Sequence, residues 1–243
     1  MVTDELITAA ENLRDNVEKL GIMLEKEGLI DCVYNPLIYA WEPHKAFIEL
    51  GGGKGAKTLL LGMNPGPHGM GQMGIPFSAT SVVRDLLGIK GLKVGKPRNQ
   101  HPKRPISGLD WHKEEVSGTR IWNLLEEHYG GVEEIFSNVF IVNHCPLMLF
   151  NGERATNITP DKISGKIVSQ LLAICDEHLI QVVKIMEIKK VIAVGKYAEK
   201  RAKNALSSLN VEITSCWHPS PASPLANRNK GEDWKENVRN VLP

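Results

Sequence analysis

The chain alternates short apolar runs with longer amphipathic stretches, and the order of the two predicts a layered α/β protein. Leu6, Leu13, Val17, Leu20 and Leu24 recur near the helical period, which predicts a first helix over residues 4–26 packed along one stripe. KTLLLGM (57–63) is a continuous apolar run entered from the flexible GGGKG turn, the pattern of a buried strand. A short helix is predicted over 80–88. A stronger one covers TRIWNLLEEHY (119–129), with Ile121, Leu124 and Leu125 inward and Glu126 and Glu127 outward. VFIVNHC (139–145) is a second strand, and residues 161–187 place Ile167, Leu171, Ile174, Ile180 and Val183 at helical spacing. KKVIAVGK (189–196) then reads as a third strand, YAEKRAKNALSSL as a helix, VEITSCWHPSP as a fourth strand running into a loop, and DWKENVRNVL as a closing helix.

This succession implies a central, mostly parallel four-stranded sheet with helices on both faces. No internal repeat, low-complexity tract or linker interrupts it, so residues 1–243 are expected to form one domain. In open α/β sheets the site lies beyond the carboxyl ends of the strands. Three predicted strand ends carry polar groups there: Asn64, Asn143 and His218.

Composition changes this picture little. A hydrophobic content of 42% with both charge signs fits an ordinary globular chain, and a net charge of +1 does not announce a nucleic-acid binder. The net value hides an imbalance, because no acid falls between Asp85 and Asp110 while Lys90, Lys93, Lys96, Arg98, Lys103 and Arg104 do. Such a stretch could lie against phosphates or be a solvated basic loop. Cys32, Cys145, Cys175 and Cys216 are far apart and form no Cys-x-x-Cys pair, so neither a zinc knuckle nor a disulfide framework is signalled. Spacing alone leaves open an iron–sulfur site assembled from distant segments, against the simpler reading of reduced thiols. With no apolar leader and no stretch of about 20 apolar residues, the expectation is a monomeric protein off the membrane and not secreted. It would be cytoplasmic in a bacterium or nuclear in a eukaryote.

The candidate chemistry concentrates in the loop after the first predicted strand, GMNPGPHGMGQMGIPF (62–77). It has neither the lysine of GxxxxGK[ST] nor the order of GxGxxG, and its prolines remove amide donors that a phosphate nest needs. Asn-Pro and Gly-Pro pairs are ordinary turn formers, so a purely structural loop is one reading. The other is a pocket for a flat, neutral, polar ligand. Phe77 supplies a stacking face, glycines let backbone amides approach, and Asn64 and Asn143 donate and accept in one plane, as a nucleobase edge requires. Phe77 is also open to a plain packing role.

GMNPGPHGMGQMGIPF, VNHCPL (142–147) and WHPSP (217–221) resemble the motifs of the single-strand-selective monofunctional uracil-DNA glycosylases, a branch of the uracil-DNA glycosylase superfamily. HPKRPISGLD (101–110) and EVSGTR (115–120) also resemble segments of that family, so the likeness runs from the first strand to the last helix. The resemblance implies a three-layer α/β/α sandwich and hydrolytic removal of uracil and 5-hydroxymethyluracil from single- and double-stranded DNA, without metal or cofactor. It implies that Asn64 positions the attacking water, His218 stabilises charge on uracil O2, Asn143 reads the base edge and Phe77 stacks on the extruded base. Gly66, with Met63 and Met70, completes the base-binding set and admits a 5-substituent.

Elementary chemistry agrees with these roles. Oriented dipoles can stabilise a departing uracil anion, and a carboxamide is too weakly basic for Asn64 to be more than a holder of water. His218 could serve as a neutral donor or as an imidazolium, and His68 and His144 are rival histidines. The segment SPASPLANRNKGEDW (220–234) is expected to supply phosphate contacts through Ser220, Ser223 or Arg228 and the wedge that fills the vacated stack. Lys103 and Arg104 are further candidates for phosphate contact. The chain departs from the vertebrate pattern at Ala222, where those members have arginine, which leaves Leu225 as the candidate wedge. It also has His68 and Met73 where they have phenylalanine and threonine, which bears on pocket width. Preference for deaminated purines such as xanthine or for mismatched thymine is therefore the alternative, and a non-catalytic nucleic-acid module is the distant one.

Overall fold

The computed structural model describes residues 1–243. The chain runs through α1 (Val2–Lys26), β1 (Cys32–Tyr34), α2 (Pro36–Tyr39), α3 (Trp41–Gly51), β2 (Thr58–Gly62) and α4 (Met70–Met73). There follow α5 (Val116–Tyr129), α6 (Val132–Asn138), β3 (Val139–Asn143), β4 (Met148–Asn151), β5 (Thr156–Ile158) and α7 (Lys166–Ile185). The chain closes with β6 (Lys190–Val194), α8 (Lys196–Ala205), β7 (Glu212–Cys216), α9 (Pro224–Asn227) and α10 (Glu232–Arg239).

The four predicted strands form one sheet in the order β3-β2-β6-β7, and every pairing is parallel. All five residues of β2 are buried, as a central parallel strand covered on both faces requires. Leu59, Leu60 and Leu61 therefore contribute to one large core with Ile141, Val191, Ile192 and the helices α3, α5, α6 and α7. An aromatic group of Phe47, Trp122, Phe136 and Phe140 fills one part of it, with Phe47 stacked on Phe140 at 5.3 Å. The α1 stripe named above is buried throughout, and it packs against α7.

Two expectations are adjusted. The long helix starts at Lys166 rather than 161, because Gly165 holds a left-handed φ of 121° that no helix continues through, and residues 160–162 make a separate 3₁₀ turn. Its buried stripe is Val168, Leu171, Cys175, Leu179, Val182 and Val183, while Ile167, Ile174 and Ile180 are only partly covered. The segment expected as a helix over 80–88 is a single π-helical turn, Val82–Leu86.

A second, antiparallel sheet in the order β1-β4-β5 has no counterpart in the sequence reading. Its strands are three or four residues long, too short for periodicity to distinguish them from loop. All four cysteines are free and buried and fall in three places: Cys216 in the main core, Cys145 and Cys175 together in a second cluster under α1 and α7, and Cys32 in a third under the small sheet. They do not converge on an iron–sulfur site. No group of three or more His, Cys, Asp or Glu side chains is arranged to hold a metal ion, and no helix is long and apolar enough to cross a membrane.

Candidate active site

The strand ends expected to carry chemistry do meet. Gly62, the last residue of β2, is the register partner of Asn143, the last residue of β3. The ladder then continues past both strands, with the His144 amide donating to the Gly62 carbonyl at 3.0 Å and the Cys145 amide to the Met63 carbonyl at 2.9 Å. Asn143 and the chain leading into Asn64 are thus fixed by backbone geometry rather than by side-chain packing.

The loop that follows is pinned at several points, which accounts for its composition. Tyr39 donates to the Gly71 carbonyl at 2.5 Å, and His44 donates from Nδ1 to the Gly74 carbonyl at 2.7 Å. Gln72, fully buried, donates to the Pro67 and Pro105 carbonyls and accepts from the Ser107 amide. At the loop's end Phe77 has a φ of 50°, rare for an aromatic residue. The prolines limit the conformations the loop can reach, and the glycines admit close backbone approach.

These elements enclose a cavity of about 240 Å³ that opens at the carboxyl end of the sheet. Asn64, His218, Asn143, Phe77, Gly66, Met63 and Met70 all line it, so every residue expected to catalyse or bind a base faces one space. Asn64 donates from Nδ2 to the Leu147 carbonyl at 3.4 Å, leaving Oδ1 as a free acceptor. Asn143 donates to the Met70 thioether at 3.2 Å; a thioether is a weak acceptor, so the carboxamide keeps its capacity for a ligand.

His218 resolves the question of its own state. Its Nδ1 accepts from the Ser220 backbone amide at 3.1 Å, which puts the proton on Nε2. Burial holds its pKa below the ordinary histidine value, so the ring is a neutral donor. It lies 6.2 Å from the Phe77 ring, tilted by 42°. The residue is seated by its neighbours: the Trp217 amide donates to Asn237 at 2.8 Å, the Trp234 indole donates to the Trp217 carbonyl at 2.9 Å, and Arg120 of α5 donates to the Pro219 carbonyl at 3.0 Å.

Neither rival histidine lines the cavity. His144 is buried between Tyr197, at 2.9 Å from Nδ1, and Asp176, at 2.9 Å from Nε2, and Asp176 is in turn paired with Arg201. His68 stacks on Trp111 at 5.6 Å.

Among the residues expected to contact DNA, Ser220 lines the cavity and Leu225 is 42% exposed on α9. Ser223 caps α9, its hydroxyl accepting from the Ala226 amide at 3.4 Å, and exposed Arg228 pairs with Asp233 at 3.4 Å. Lys103 is exposed, whereas Arg104 is tied to the Ala155 carbonyl at 2.9 Å and lies over the Phe150 ring at 5.5 Å. Arg104 is a strut between the basic loop and the small sheet, and the same loop loses Arg98 to Glu25 at 2.7 Å.

The sequence reading missed Ser78, Glu115, Ser117, Gly118, Asn157 and Thr159, which also line the cavity. Asn157 comes from the unforeseen small sheet, and Thr159 directly follows its last strand. Glu115 sits at the start of α5, where an acid is ordinary, so local pattern gave no sign that it faces a pocket.

A family model described as the uracil DNA glycosylase superfamily matches residues 50–242. A single-strand selective monofunctional uracil DNA glycosylase from Bos taurus is 43% identical over 220 residues, covering 90% of this chain and 79% of that protein. The proteins of the same name from Rattus norvegicus and Mus musculus are 41% and 40% identical over 234 residues, covering 96% of this chain and 81% of each. Among solved structures, wild-type SMUG2 of Pedobacter heparinus matches with a TM-score of 0.62 over 86% of both chains; at 18% identity this likeness concerns the fold.

Proposed function

The chain belongs to the uracil DNA glycosylase superfamily, and from that premise we propose that it is a monofunctional DNA glycosylase acting on uracil and 5-hydroxymethyluracil in single- and double-stranded DNA. It hydrolyses the N-glycosidic bond and leaves an abasic site, the first product of base excision repair. One observation carries this reading: Asn64, Asn143, Phe77 and His218, from separate stretches of the chain, line a single cavity.

A pyrimidine turned out of the DNA stack lies on Phe77 with its N3 and O4 edge toward Asn143. Asn143 Oδ1 accepts from N3–H and Nδ2 donates to O4, a pattern that cytosine, with acceptor and donor exchanged, does not match. When the bond between C1′ and N1 breaks, its electron pair stays with the base and spreads onto O2, where the Nε2–H of His218 donates. Asn64 Oδ1 accepts from a water and aims its oxygen at C1′. That oxygen bonds to C1′, and the proton it sheds ends on the released base or in solvent. Leu225 fills the gap left in the stack, and Ser220, Arg228 and Lys103 hold phosphates.

The test is incubation with single-stranded DNA containing one uracil, in the presence of chelator, followed by alkaline cleavage at abasic sites. Strand cleavage is expected, and uracil DNA left intact at stoichiometric enzyme would overturn the proposal. Asn64→Ala is expected to cut the single-turnover rate by about 100-fold or more with DNA affinity nearly unchanged.

A further inference from the structure

Single apolar side chains on a surface are ordinary, and Val116, 42% exposed, would be one of them but for its place. It is the first residue of α5, and the residues on either side of it, Glu115 and Ser117, line the cavity. The turn that carries it is held from two directions. Gly118 packs so closely on the chain at Phe77 that a Cβ there would collide with the Phe77 carbonyl oxygen and come within 2.6 Å of that of Ser78. Further along, Arg120 donates to the Pro219 and Ala226 carbonyls, at 3.0 and 3.4 Å, on the segment that carries Leu225. Residues four apart share a helix face, so Val116 stands on the face of α5 turned to that segment. Two exposed apolar side chains, Val116 on α5 and Leu225 on α9, are thus carried by elements that Arg120 ties together.

What such a pair can do follows from the extruded base and the wedge given above, on which this inference rests. Removing one base from the stack bares the faces of both its neighbours, and the backbone kinks to bring the nucleotide into the cavity. A leucine is narrower than a base pair and leaves part of that surface open to water. We propose that Val116 covers it, as a second apolar prong that packs on the base next to the extruded nucleotide in duplex DNA and holds the parted step open. A valine side chain is stiff at χ1, so little conformational freedom is lost on contact. In a single strand no paired stack has to be parted, and the prong has little to hold. Val116 therefore acts on duplex substrates, by stabilising the opened state, and takes no part in bond cleavage.

The test compares single-turnover excision of uracil from single-stranded DNA and from the same strand with uracil paired to adenine, at saturating enzyme. Wild type, Val116→Ala and Val116→Ile are measured, each checked by thermal melting. Val116→Ala is expected to lower the duplex rate about tenfold, the order set by two methyl groups returned to water, and the single-strand rate by no more than about twofold. Val116→Ile keeps the apolar surface and is expected to stay within about threefold of wild type on the duplex. A duplex-to-single-strand ratio in Val116→Ala within about twofold of wild type would overturn the prong. Equal losses on both substrates would do so too, by assigning Val116 to support of the cavity. A duplex loss in Val116→Ile as large as in Val116→Ala would also overturn it, because apolar cover would then not be what matters. Wild type that frees uracil from neither substrate overturns the glycosylase reading itself, and the prong with it.

Discussion

Gly62 and Asn143 stand side by side at the ends of adjacent parallel strands, and a Cβ on Gly62 would collide with Asn143 Oδ1 and come within 2.5 Å of the Phe77 ring. A single methyl group there would push away both the residue proposed to read the base edge and the one proposed to stack on it. Gly62→Ala is expected to slow uracil excision by about 100-fold, because displacements near 1 Å at a reacting centre have effects of that order. Single-turnover rates measure it, with DNA affinity as the control; a rate within about threefold of wild type would show that the two side chains can yield.

His218 sets the pH dependence. Its pKa is lowered by burial, and its Nδ1 must stay unprotonated to accept from Ser220. Neutral His218 is therefore the form present above about pH 6.5, the ordinary histidine value, and it persists somewhat below that. The single-turnover rate should show no inflection from this group between about pH 6.5 and 8.5 and should fall on the acid side. A rate that falls as pH rises through an inflection assigned to His218, by its loss in His218→Gln, would mean that the imidazolium is the active form.

Arg120 joins the first turns of α5 to the segment bearing His218 and Leu225. It donates to the Pro219 carbonyl, to the Ala226 carbonyl at 3.4 Å and to Asn227 Oδ1 at 2.9 Å, and Asn227 in turn donates to the Pro221 carbonyl at 2.7 Å. Lysine offers no planar fork for these acceptors, so Arg120→Lys should behave much like Arg120→Ala. Both are expected to lower the excision rate by about tenfold while leaving the preference for uracil over cytosine in place, since Asn143 is untouched. Full activity in Arg120→Lys would show that the charge matters and the fork does not.

Acid stability should be governed in part by His44. The ring is buried, and desolvation lowers its pKa to about 4. Because the folded chain holds it neutral while the unfolded chain takes up a proton near 6.5, stability is fully present above that pH and declines as pH falls toward 4. The loss at pH 5 is about 2 kcal/mol. His178, which lines a small apolar cavity together with His44, is lowered by burial to about 3 and adds to the same acid-side loss. Denaturation midpoints at pH 7.5 and 5 should differ less in His44→Gln than in wild type. An equal drop in both would assign the acid sensitivity elsewhere.

The parts of the fold and site legible in the sequence are those where one local signal dominates. The buried run of β2, the polar residues closing β3 and β7, and the α1 stripe are each written in consecutive or periodic positions, and they led to Asn64, Asn143 and His218. What stayed hidden depends on contacts between distant segments. Arg104 looks like a free cation until the Ala155 carbonyl and the Phe150 ring are brought to it, and Glu115 looks like a first-turn acid until Gly66 closes against it. His144 sits next to Asn143 in sequence but points the other way, as neighbours at a strand end do.

The pairing of β2 with β3 has one further consequence. Sliding β3 by a single position would offer Val142 or His144 in place of the carboxamide, turning a selective surface into an indifferent or a misdirected one. If Asn143 reads the base as proposed, accuracy in choosing which base to cut is inherited from the greasy contacts that stop the strands from slipping, far from any DNA.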